Sequence, residues 1–241
     1  MSAGLLGVRS FGGAAELWPL IFYGLKAVAN RGDSAEAYVY DGGGMRRGEV
    51  DPAREAEKSL RGVAAVGCVS PDGGCCAESP GGVRCHFGGT YVELTRDGVL
   101  MAKRGTQLWH LAVGVRGFDF AIVATESAAV EILGGEVRRS LAPGEEVEIT
   151  ELSVKAKGGE PREPLCALEF VYMARPDSSI DGVEVAAARA KVAEKLAAKI
   201  GVLHDVVVGV PETGSYYAAH IAAVLGKPYI PAFAATAEAR F

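Results

Sequence analysis

The alternation of apolar and polar residues predicts different secondary structure along the first two thirds of the chain. Residues 16–32 carry apolar side chains at intervals of three and four, which predicts a helix that ends near Gly32. Residues 35–45 alternate like a strand that runs into a glycine turn. Residues 90–154 contain several alternating segments separated by Asp-Gly, Arg-Gly and Pro-Gly turns. This region is therefore predicted to be an antiparallel sheet.

The pattern changes after residue 182. A helical pattern over 183–201 is followed by the apolar run DVVVGV, the loop PETGS, a second helical pattern over 216–226 and an apparent strand start, KPYIPAF. Helix, strand, loop and helix in this order are typical of a parallel α/β unit, with DVVVGV as a buried strand. The fold class is therefore predicted to be α+β, with an antiparallel body followed by a partial α/β unit.

Composition and charge exclude several functions. The net charge of the 241 residues is −5, and the Lys and Arg residues are dispersed, which argues against nucleic acid as a partner. The longest apolar runs have the length of strands rather than of membrane spans. The N-terminus lacks a basic segment followed by a long apolar stretch. We therefore expect no membrane association and a cytoplasmic location.

Two sets of segments together resemble a known family. The stretches LCALEFVYMARPDSSIDG and DVVVGVPETGSYYAAHIAAVLGKPYIP are similar to the glutamine phosphoribosylpyrophosphate amidotransferases, also called amidophosphoribosyltransferases. Upstream, AGLLGV, PLIFYGLKAVANRGDSA, YVELTRDGVLMAKR, VATESAAVEILGG and LAPGEEVEI resemble the same family in the same order. The similarity spans nearly the whole chain, and ARPDS is its most specific motif.

The resemblance implies a fold and a pair of activities. Residues 1–165 would form a shortened αββα sandwich of the N-terminal-nucleophile type, which is the glutaminase-like domain. Residues 166–241 would form part of a phosphoribosyltransferase-like α/β domain. In the family, the first domain releases ammonia from glutamine, and the second uses it to displace pyrophosphate from phosphoribosylpyrophosphate in purine biosynthesis.

The residues that perform the glutaminase chemistry in the family are replaced here. Alignment of the glycines places Ala3 at the position of the catalytic cysteine, and a methyl group cannot attack an amide. Ser2 is the alternative nucleophile, but it lies one residue before the position of the cysteine. Because a strand alternates its side chains between faces, the side chain of Ser2 would point to the opposite face. Ser70, in GCVSPDGG, stands where the family has the arginine that clamps the glutamine carboxylate.

Of two further glutaminase elements of the family, one is replaced in this sequence and one is retained. An internal segment that carries the oxyanion-hole Asn-Gly pair in the family is missing, and Phe87-Gly88 is the nearest remnant. Arg31 and Gly32 persist after the first predicted helix. They are interpreted either as substrate-binding residues or as the basic C-terminus and glycine cap of that helix.

The transferase part also departs from the family. The segment Glu212, Thr213, Gly214 and Ser215 precedes a helix, whose N-terminus favours an anion such as pyrophosphate with Mg²⁺. The later acidic pair and the ribose-phosphate loop of the family are not present in the sequence. In AFAATAEARF, alanine and threonine occur where the family has lysine and arginine, and Arg240 is the remaining candidate.

The cysteines leave three alternatives open. Cys68, Cys75, Cys76, Cys85 and His86 fall in a short Gly-rich stretch that is a candidate zinc site, although the spacing is not that of paired CxxC motifs. Disulfides are a second use if the organism is a hyperthermophile, where intracellular disulfides occur, and free thiols are the default interpretation. Cys166 matches a position that binds an iron–sulfur cluster in one branch of the family, but the other ligands are not found, so we expect no such cluster.

Two hypotheses for function follow. The first is an amidophosphoribosyltransferase-like protein that has lost both activities and acts in binding, assembly or regulation. The second is an enzyme, either a hydrolase that uses Ser2 or one subunit of a split amidotransferase. In both cases we expect a homo-oligomer or a hetero-complex formed through the C-terminal segment, because DVVVGV is apolar on both faces and few other strands are predicted near it.

Overall fold

The fold is described from a computed structural model covering residues 3–50, 59–105, 109–160, 166–201 and 204–234. The chain divides into two units. Unit 1 comprises Met1–Cys166 and Ser178–Gly182, and unit 2 comprises Ala167–Asp177 and Val183–Phe241. Assignment of these units to a glutaminase-like and a transferase-like domain stays a prediction. No described helix is long and apolar enough to cross a membrane.

The elements of unit 1 are mainly strands. In chain order they are β1 Gly4–Ser10, β2 Ala15–Glu16, α1 Trp18–Ala27, a 3₁₀ helix Ala29–Arg31, β3 Ser34–Tyr40, β4 Met45–Val50, β5 Arg61–Gly62, β6 Ala64–Ser70, β7 Cys76–Ser79, β8 Gly82–Phe87, β9 Thr90–Thr95, β10 Leu100–Lys103, β11 Ala112–Arg116, β12 Phe120–Ala124, α2 Ser127–Ile132, β13 Glu136–Ser140, β14 Glu146–Ile149, β15 Val154–Lys157 and β16 Ser179–Ile180. The predicted first helix and antiparallel sheet region are therefore both present.

Two antiparallel sheets form the body of unit 1. One sheet has the strand order β13-β11-β12-β1-β6-β3-β4, and the other has the order β15-β14-β10-β9-β8-β7. Alternate side chains of β1 point to opposite faces, so that Leu5 joins the core between the sheets while Leu6 and Val8 join the core beneath α1 and α2. The described part of unit 1 therefore has one helical layer and two sheet layers.

The outer face of the second sheet explains why this sandwich is shortened. Its side chains are polar: Arg84 forms an ion pair with Glu93 and lies over the ring of Tyr91, and Glu146 pairs with Lys157. Cross-strand charge pairs of this kind suit a face that contacts water rather than an apolar helix. The described residues thus form a shortened αββα sandwich, with one helical layer on the first sheet and no helical layer on the outer face of the second sheet.

The described part of unit 2 contains a π-helical turn, two α-helices and one two-residue strand. Its described elements are a π-helical turn Glu169–Met173, β17 Val183–Glu184, α3 Val185–Ala197 and α4 Thr213–Leu225. Arg189 of α3 is buried and donates to the carbonyl oxygens of Phe170 and Ala174, which fixes the turn against α3. Both predicted helices of this region are confirmed.

The prediction of a buried strand at DVVVGV is wrong for the described residues. Only Val207 forms a β-bridge, a parallel one with Tyr229, and KPYIPAF forms no longer strand. Val206, Val208 and Val210 are partly exposed, with Val210 at 66%. The apolar sequence predicts burial on both faces, but the described part of unit 2 does not supply neighbouring strands that would bury it.

Candidate functional site

The start of β1 and the end of β6 form the centre of the candidate site. Ala3 immediately precedes β1 and is buried. Because β1 and β6 are antiparallel with Gly4 opposite Val69, continuation of the register places Ala3 opposite Ser70. The two positions at which the resemblance implies a nucleophile and a carboxylate clamp therefore lie side by side. They hold a methyl group and a hydroxymethyl group.

The position of β1 is fixed by close contacts at its first residues. A Cβ added to Gly4 would lie 2.7 Å from the Cβ of Val28, so glycine lets β1 approach the segment that follows α1. Leu5 N–H donates to Thr125 Oγ1 at 3.1 Å, and Thr125 N–H donates to the Leu5 carbonyl at 3.1 Å. These contacts hold the site backbone in place without any catalytic side chain.

Ser70 is a buried hydroxyl at the end of β6. Its side chain is 7% exposed, and its Oγ has no hydrogen-bond partner among the described residues. Gly32 packs directly on the Ser70 backbone, and a Cβ on Gly32 would overlap the Ser70 carbonyl. Ser70 carries no charge, so it cannot make the paired charge-assisted bonds that a guanidinium makes to a carboxylate.

The structure changes the interpretation of Gly32. α1 ends at Ala27 with Val28 as its cap, and Gly32 instead caps the short 3₁₀ helix, donating its N–H to the Ala29 carbonyl. The φ of Gly32 is 165°, which is extended backbone that other residues also adopt. Glycine is therefore required at this position by its contact with Ser70 rather than by a left-handed helix cap.

Arg31 is held in a buried ion pair. Its Nη2 and Nε lie 2.8 and 2.9 Å from Glu126 Oε1, and Asn30 Nδ2 donates to the same oxygen at 2.9 Å. The side chains of Arg31 and Glu126 are 2% and 1% exposed. The positive charge of Arg31 is thus balanced by a carboxylate of the protein. This arrangement supports a structural role for Arg31, and substrate binding by Arg31 and Gly32 stays a prediction.

A buried polar network adjoins Thr125. His110 lies with Nδ1 3.3 Å from the Thr125 carbonyl and Nε2 2.8 Å from Ser140 Oγ, which in turn accepts the N–H of Asp181 at 3.2 Å. Burial lowers the pKa of His110 to about 4. Burial alone would raise the pKa of Asp181, but hydrogen bonds from the Arg104 guanidinium hold it below its ordinary value. His110 is therefore neutral, with Nδ1–H donating to the carbonyl.

Phe87 and Gly88 have a turn geometry. Gly88 and Gly89 connect β8 to β9 with φ values of 54° and 82°. Two successive residues with positive φ form the turn type that matches strand twist in two-residue hairpins. Phe87 packs edge-on against Trp109 with ring centroids 4.9 Å apart. The remnant of the oxyanion-hole pair is thus a packed hairpin turn, and Phe87 offers no side-chain donor.

Comparison with known proteins identifies relatives. The chain is 42% identical to the amidophosphoribosyltransferase of Escherichia coli over 120 residues, which are 46% of this chain and 24% of that protein. It is 32% identical to the Bacillus subtilis protein of that name over 141 residues, 58% of this chain and 29% of that protein. No family model matches the chain. The chain is a relative of the amidophosphoribosyltransferases.

The fold agrees with this relationship. The Bacillus subtilis glutamine phosphoribosylpyrophosphate amidotransferase, solved with ADP and GMP, aligns with a TM-score of 0.79 at 22% identity, covering 94% of this chain and 65% of that one. A structure described as the allosteric regulatory enzyme of purine biosynthesis aligns with a TM-score of 0.78 at 23% identity, covering 94% and 64%. The chain spans about a quarter of the length of the curated relatives it matches.

The predicted phosphate loop of this amidophosphoribosyltransferase relative lies at the start of α4. Glu212 is the N-cap residue, Thr213 begins the helix, and Gly214 and Ser215 lie in its first turn. A Cβ on Gly209 would lie 2.5 Å from the Cα of Ser215, so glycine lets the preceding segment approach the helix start. The helix thus begins three residues before the predicted range 216–226, so that Thr213, Gly214 and Ser215 lie in its first turn rather than in the predicted loop PETGS. Anion binding by these four residues stays a prediction. Arg240 and Ser2 lie outside the described residues.

The default interpretation of the cysteines as free thiols is wrong in this structure. Cys68 is bonded to Cys75, and Cys76 is bonded to Cys85. A connectivity of this kind cannot be derived from sequence, because four cysteines allow three pairings. Cys166 is a free thiol and is partly exposed.

His86 does not join the cysteines. β8 alternates its side chains, so that Cys85 is buried while His86 is exposed on the other face. The groups whose donor atoms lie within 4.8 Å of one another are Cys68, Cys76 and Cys85, and Glu36, Cys68 and Cys75. Glu36 is thus a neighbour of the cluster that sequence spacing did not indicate.

The site also includes residues that the sequence did not single out. Glu126, Thr125 and Asn30 contact the candidate positions, and His110 adjoins them. The sequence signals for Thr125 and Glu126 are their place directly after β12, where polar residues end a buried strand, and their position in the segment VATESAAVEILGG that resembles the family.

Proposed function

We propose that this protein is an amidophosphoribosyltransferase relative that has lost glutamine hydrolysis and phosphoribosyl transfer and acts as a binding, assembly or regulatory protein. The observation that carries the proposal is the pair Ala3 and Ser70. They occupy neighbouring positions at which the family resemblance implies a nucleophile and a carboxylate clamp. We also propose a cytoplasmic location, which the sequence similarity to amidophosphoribosyltransferases supports.

The chemistry of the site supports this proposal. Amide hydrolysis through a covalent intermediate needs a nucleophile, and neither Ala3 nor the buried Ser70 has an adjacent base positioned to activate it among the described residues. The developing oxyanion needs preorganised donors, and Phe87 supplies none. The backbone frame is held through Gly4, Gly32 and Thr125, which explains how the architecture persists with altered chemistry.

The transferase part of the proposal depends on a small anion-binding surface. Glu212 to Ser215 offer a helix N-terminus, which contributes on the order of 1 kcal/mol to binding an anion. Specific binding of phosphoribosylpyrophosphate at sub-millimolar concentration requires more than about 4 kcal/mol. The negative charge of Glu212 at the same helix start weakens the attraction further.

We expect the purified protein to release no ammonia from glutamine above the rate of a buffer blank. Loss of single catalytic groups costs several orders of magnitude in rate, so replacement of both nucleophile and clamp leaves no measurable turnover. The measurement is a coupled glutamate and ammonia assay, with the Ser2→Ala variant as the matched control. Ammonia release that disappears in Ser2→Ala would contradict the proposal and support a hydrolase that uses Ser2.

The split-amidotransferase alternative has a different signature. In that case the isolated chain would release no ammonia from glutamine, and release would appear only with a co-purifying polypeptide. Native purification followed by mass identification of bound proteins, with the assay repeated on the complex, separates this alternative from loss of activity.

Unit 2 supports association as the second part of the proposal. Its apolar side chains line a groove of about 440 Å³ that includes Val206, Val208, Ile221 and Leu225. Exposed apolar surface of this kind is typical of interaction sites, because soluble proteins rarely leave it uncovered. We propose that a second copy of the chain covers it, and a separate polypeptide is the other outcome of the test.

We expect the full chain to sediment as a dimer or larger species at micromolar concentration. Val210→Glu introduces a charge into the groove lining, which would have to be desolvated on association, and it should shift the protein towards monomer. Lys199→Glu is the matched control, because Lys199 is exposed in the same unit and lies outside the groove lining. A wild-type protein that is monomeric and purifies without a second polypeptide would overturn this part of the proposal.

A further inference from the structure

Four cysteines and one carboxylate converge at one end of the sheet sandwich. Cys68 lies on β6 of the first sheet, Cys76 and Cys85 face each other on β7 and β8 of the second sheet, and Cys75 precedes β7. Cys68 and Cys85 are fully buried, and Cys75 is nearly so. The cluster therefore joins the two sheets at a place that water hardly reaches.

Three of the four sulfur atoms form a compact group across the two disulfides. Cys68 Sγ lies 3.3 Å from Cys76 Sγ, and the donor atoms of Cys68, Cys76 and Cys85 all lie within 4.8 Å of one another. A tetrahedral zinc ion with Zn–S bonds of about 2.3 Å holds its sulfur ligands about 3.8 Å apart. These three sulfurs thus have the spread of a zinc site. Cys75 is grouped instead with Cys68 and Glu36, so in the reduced protein its side chain must turn towards Cys76 and Cys85 to complete the set of four.

We propose that Cys68, Cys75, Cys76 and Cys85, in their thiol form, bind one Zn²⁺ ion and that the two disulfides are the metal-free, oxidised form of the same site. Four cysteinate ligands are a common structural zinc set, and soft thiolates select zinc over magnesium or calcium. A reducing compartment keeps thiols reduced, so the metal form is the one that such a compartment favours. This inference is independent of the proposed loss of catalysis.

The disulfide form converts to the zinc form by reduction of both disulfides followed by metal binding. A phosphine reductant cleaves each S–S bond by giving up two electrons and taking one oxygen from water to become the phosphine oxide, and the two water protons go to the two sulfurs. Binding of Zn²⁺ to the four thiols then forms four Zn–S bonds and releases four protons, so affinity rises with pH.

Glu36 is assigned as a neighbour of the metal rather than a ligand. Its Oε1 accepts the Cys76 N–H at 2.8 Å and lies 3.7 Å from Cys68 Sγ, and Arg47 lies 3.5 Å from its other oxygen. The Glu36 carboxylate already accepts from a backbone N–H and pairs with Arg47. Four thiolates complete a tetrahedral zinc site without it. Glu36 thereby orients the β7 backbone that carries Cys76.

The test uses the full chain reduced with a phosphine under anaerobic conditions and equilibrated with Zn²⁺ or Co²⁺. We expect close to one zinc ion per chain by elemental analysis after desalting. Co²⁺ should give the intense visible bands and the sulfur-to-cobalt charge-transfer band of a tetrahedral thiolate site. Mass spectrometry of the metal-free oxidised protein should show the loss of four hydrogens relative to the reduced chain.

Variants make the result decisive. Cys76→Ser changes the partly exposed cysteine and should lower zinc affinity at least about tenfold, while His86→Ala, on the opposite face of β8, should leave zinc content unchanged. A reduced chain that stays folded by circular dichroism and retains no zinc or cobalt overturns the proposal. The proposal also fails if Cys76→Ser retains as much metal as the wild type, or if a reduced chain that unfolds does not refold with zinc.

Discussion

Replacement of Glu126 by alanine is expected to lower the free energy of unfolding by about 3–5 kcal/mol, the cost of removing one partner of a buried ion pair. Arg31 and Glu126 are both almost completely buried, and Asn30 donates to the same carboxylate oxygen. Removal of the carboxylate leaves the Arg31 guanidinium in a site that excludes water. This interaction therefore holds the segment after α1 against the start of α2.

Urea denaturation of the wild type, of Glu126→Ala and of a double variant measures this prediction. Arg31→Met with Glu126→Leu removes both charges and should cost less than Glu126→Ala alone, because the guanidinium is removed together with its carboxylate partner. Glu136→Ala is the matched control, since its ion pair with Arg138 is exposed and such pairs contribute about 0–1 kcal/mol. A loss below about 1 kcal/mol for Glu126→Ala would show that water or a rearranged partner compensates Arg31.

The antiparallel body could be predicted because one face of its second sheet contacts water. In β9 and β14, apolar and polar residues alternate with the period of a strand. β6 has no such signal, since all its residues are buried between the helices and the second sheet. A continuous apolar run is compatible with a strand or a buried helix, so its periodicity predicts no strand there.

The apolar run DVVVGV shows that an apolar segment can also predict a strand that the described residues do not form. Its composition correctly indicates a segment suited to burial, but burial depends on neighbouring strands that are not encoded in the run itself. In unit 2 the segment forms a single bridge, and its valines are partly exposed. Local sequence therefore predicts the tendency of a segment and not the presence of its partner.

Sequence motifs predict which residues occupy the candidate site, but they do not predict contacts between residues that are far apart in the sequence. Ala3 and Ser70 follow from alignment of short motifs, and the β1–β6 register brings them together. Glu126 is 95 residues from Arg31, and nothing in the spacing connects them. The cysteine stretch was recognised, but its pairing and the proximity of Glu36 arise from the packing of β6 against β7 and β8.

The buried histidine predicts an acid-sensitive fold. His110 is neutral in the native protein because burial lowers its pKa from 6.5 to about 4, while in the unfolded chain it is protonated below its ordinary pKa. Between pH 6.5 and 4 the unfolded state therefore binds one proton that the native state does not bind. Stability is fully present above pH 6.5 and falls with decreasing pH, by about 3 kcal/mol at pH 4 from this group.

The charged groups around His110 do not reverse the sign of this effect. Arg104 disfavours the imidazolium, whereas Asp181 and Glu126 favour it, and desolvation outweighs them all. His110→Gln removes the titrating ring, so the slope of unfolding free energy against pH should decrease by up to about 1.4 kcal/mol per pH unit in this range. Urea denaturation of the wild type and His110→Gln at pH 7, 5.5 and 4.5 measures the slope, and His86→Gln, which removes an exposed histidine, is the control. Parallel pH profiles for the wild type and His110→Gln would mean that His110 is protonated in the native protein and that the network from Thr125 to Asp181 accommodates its charge.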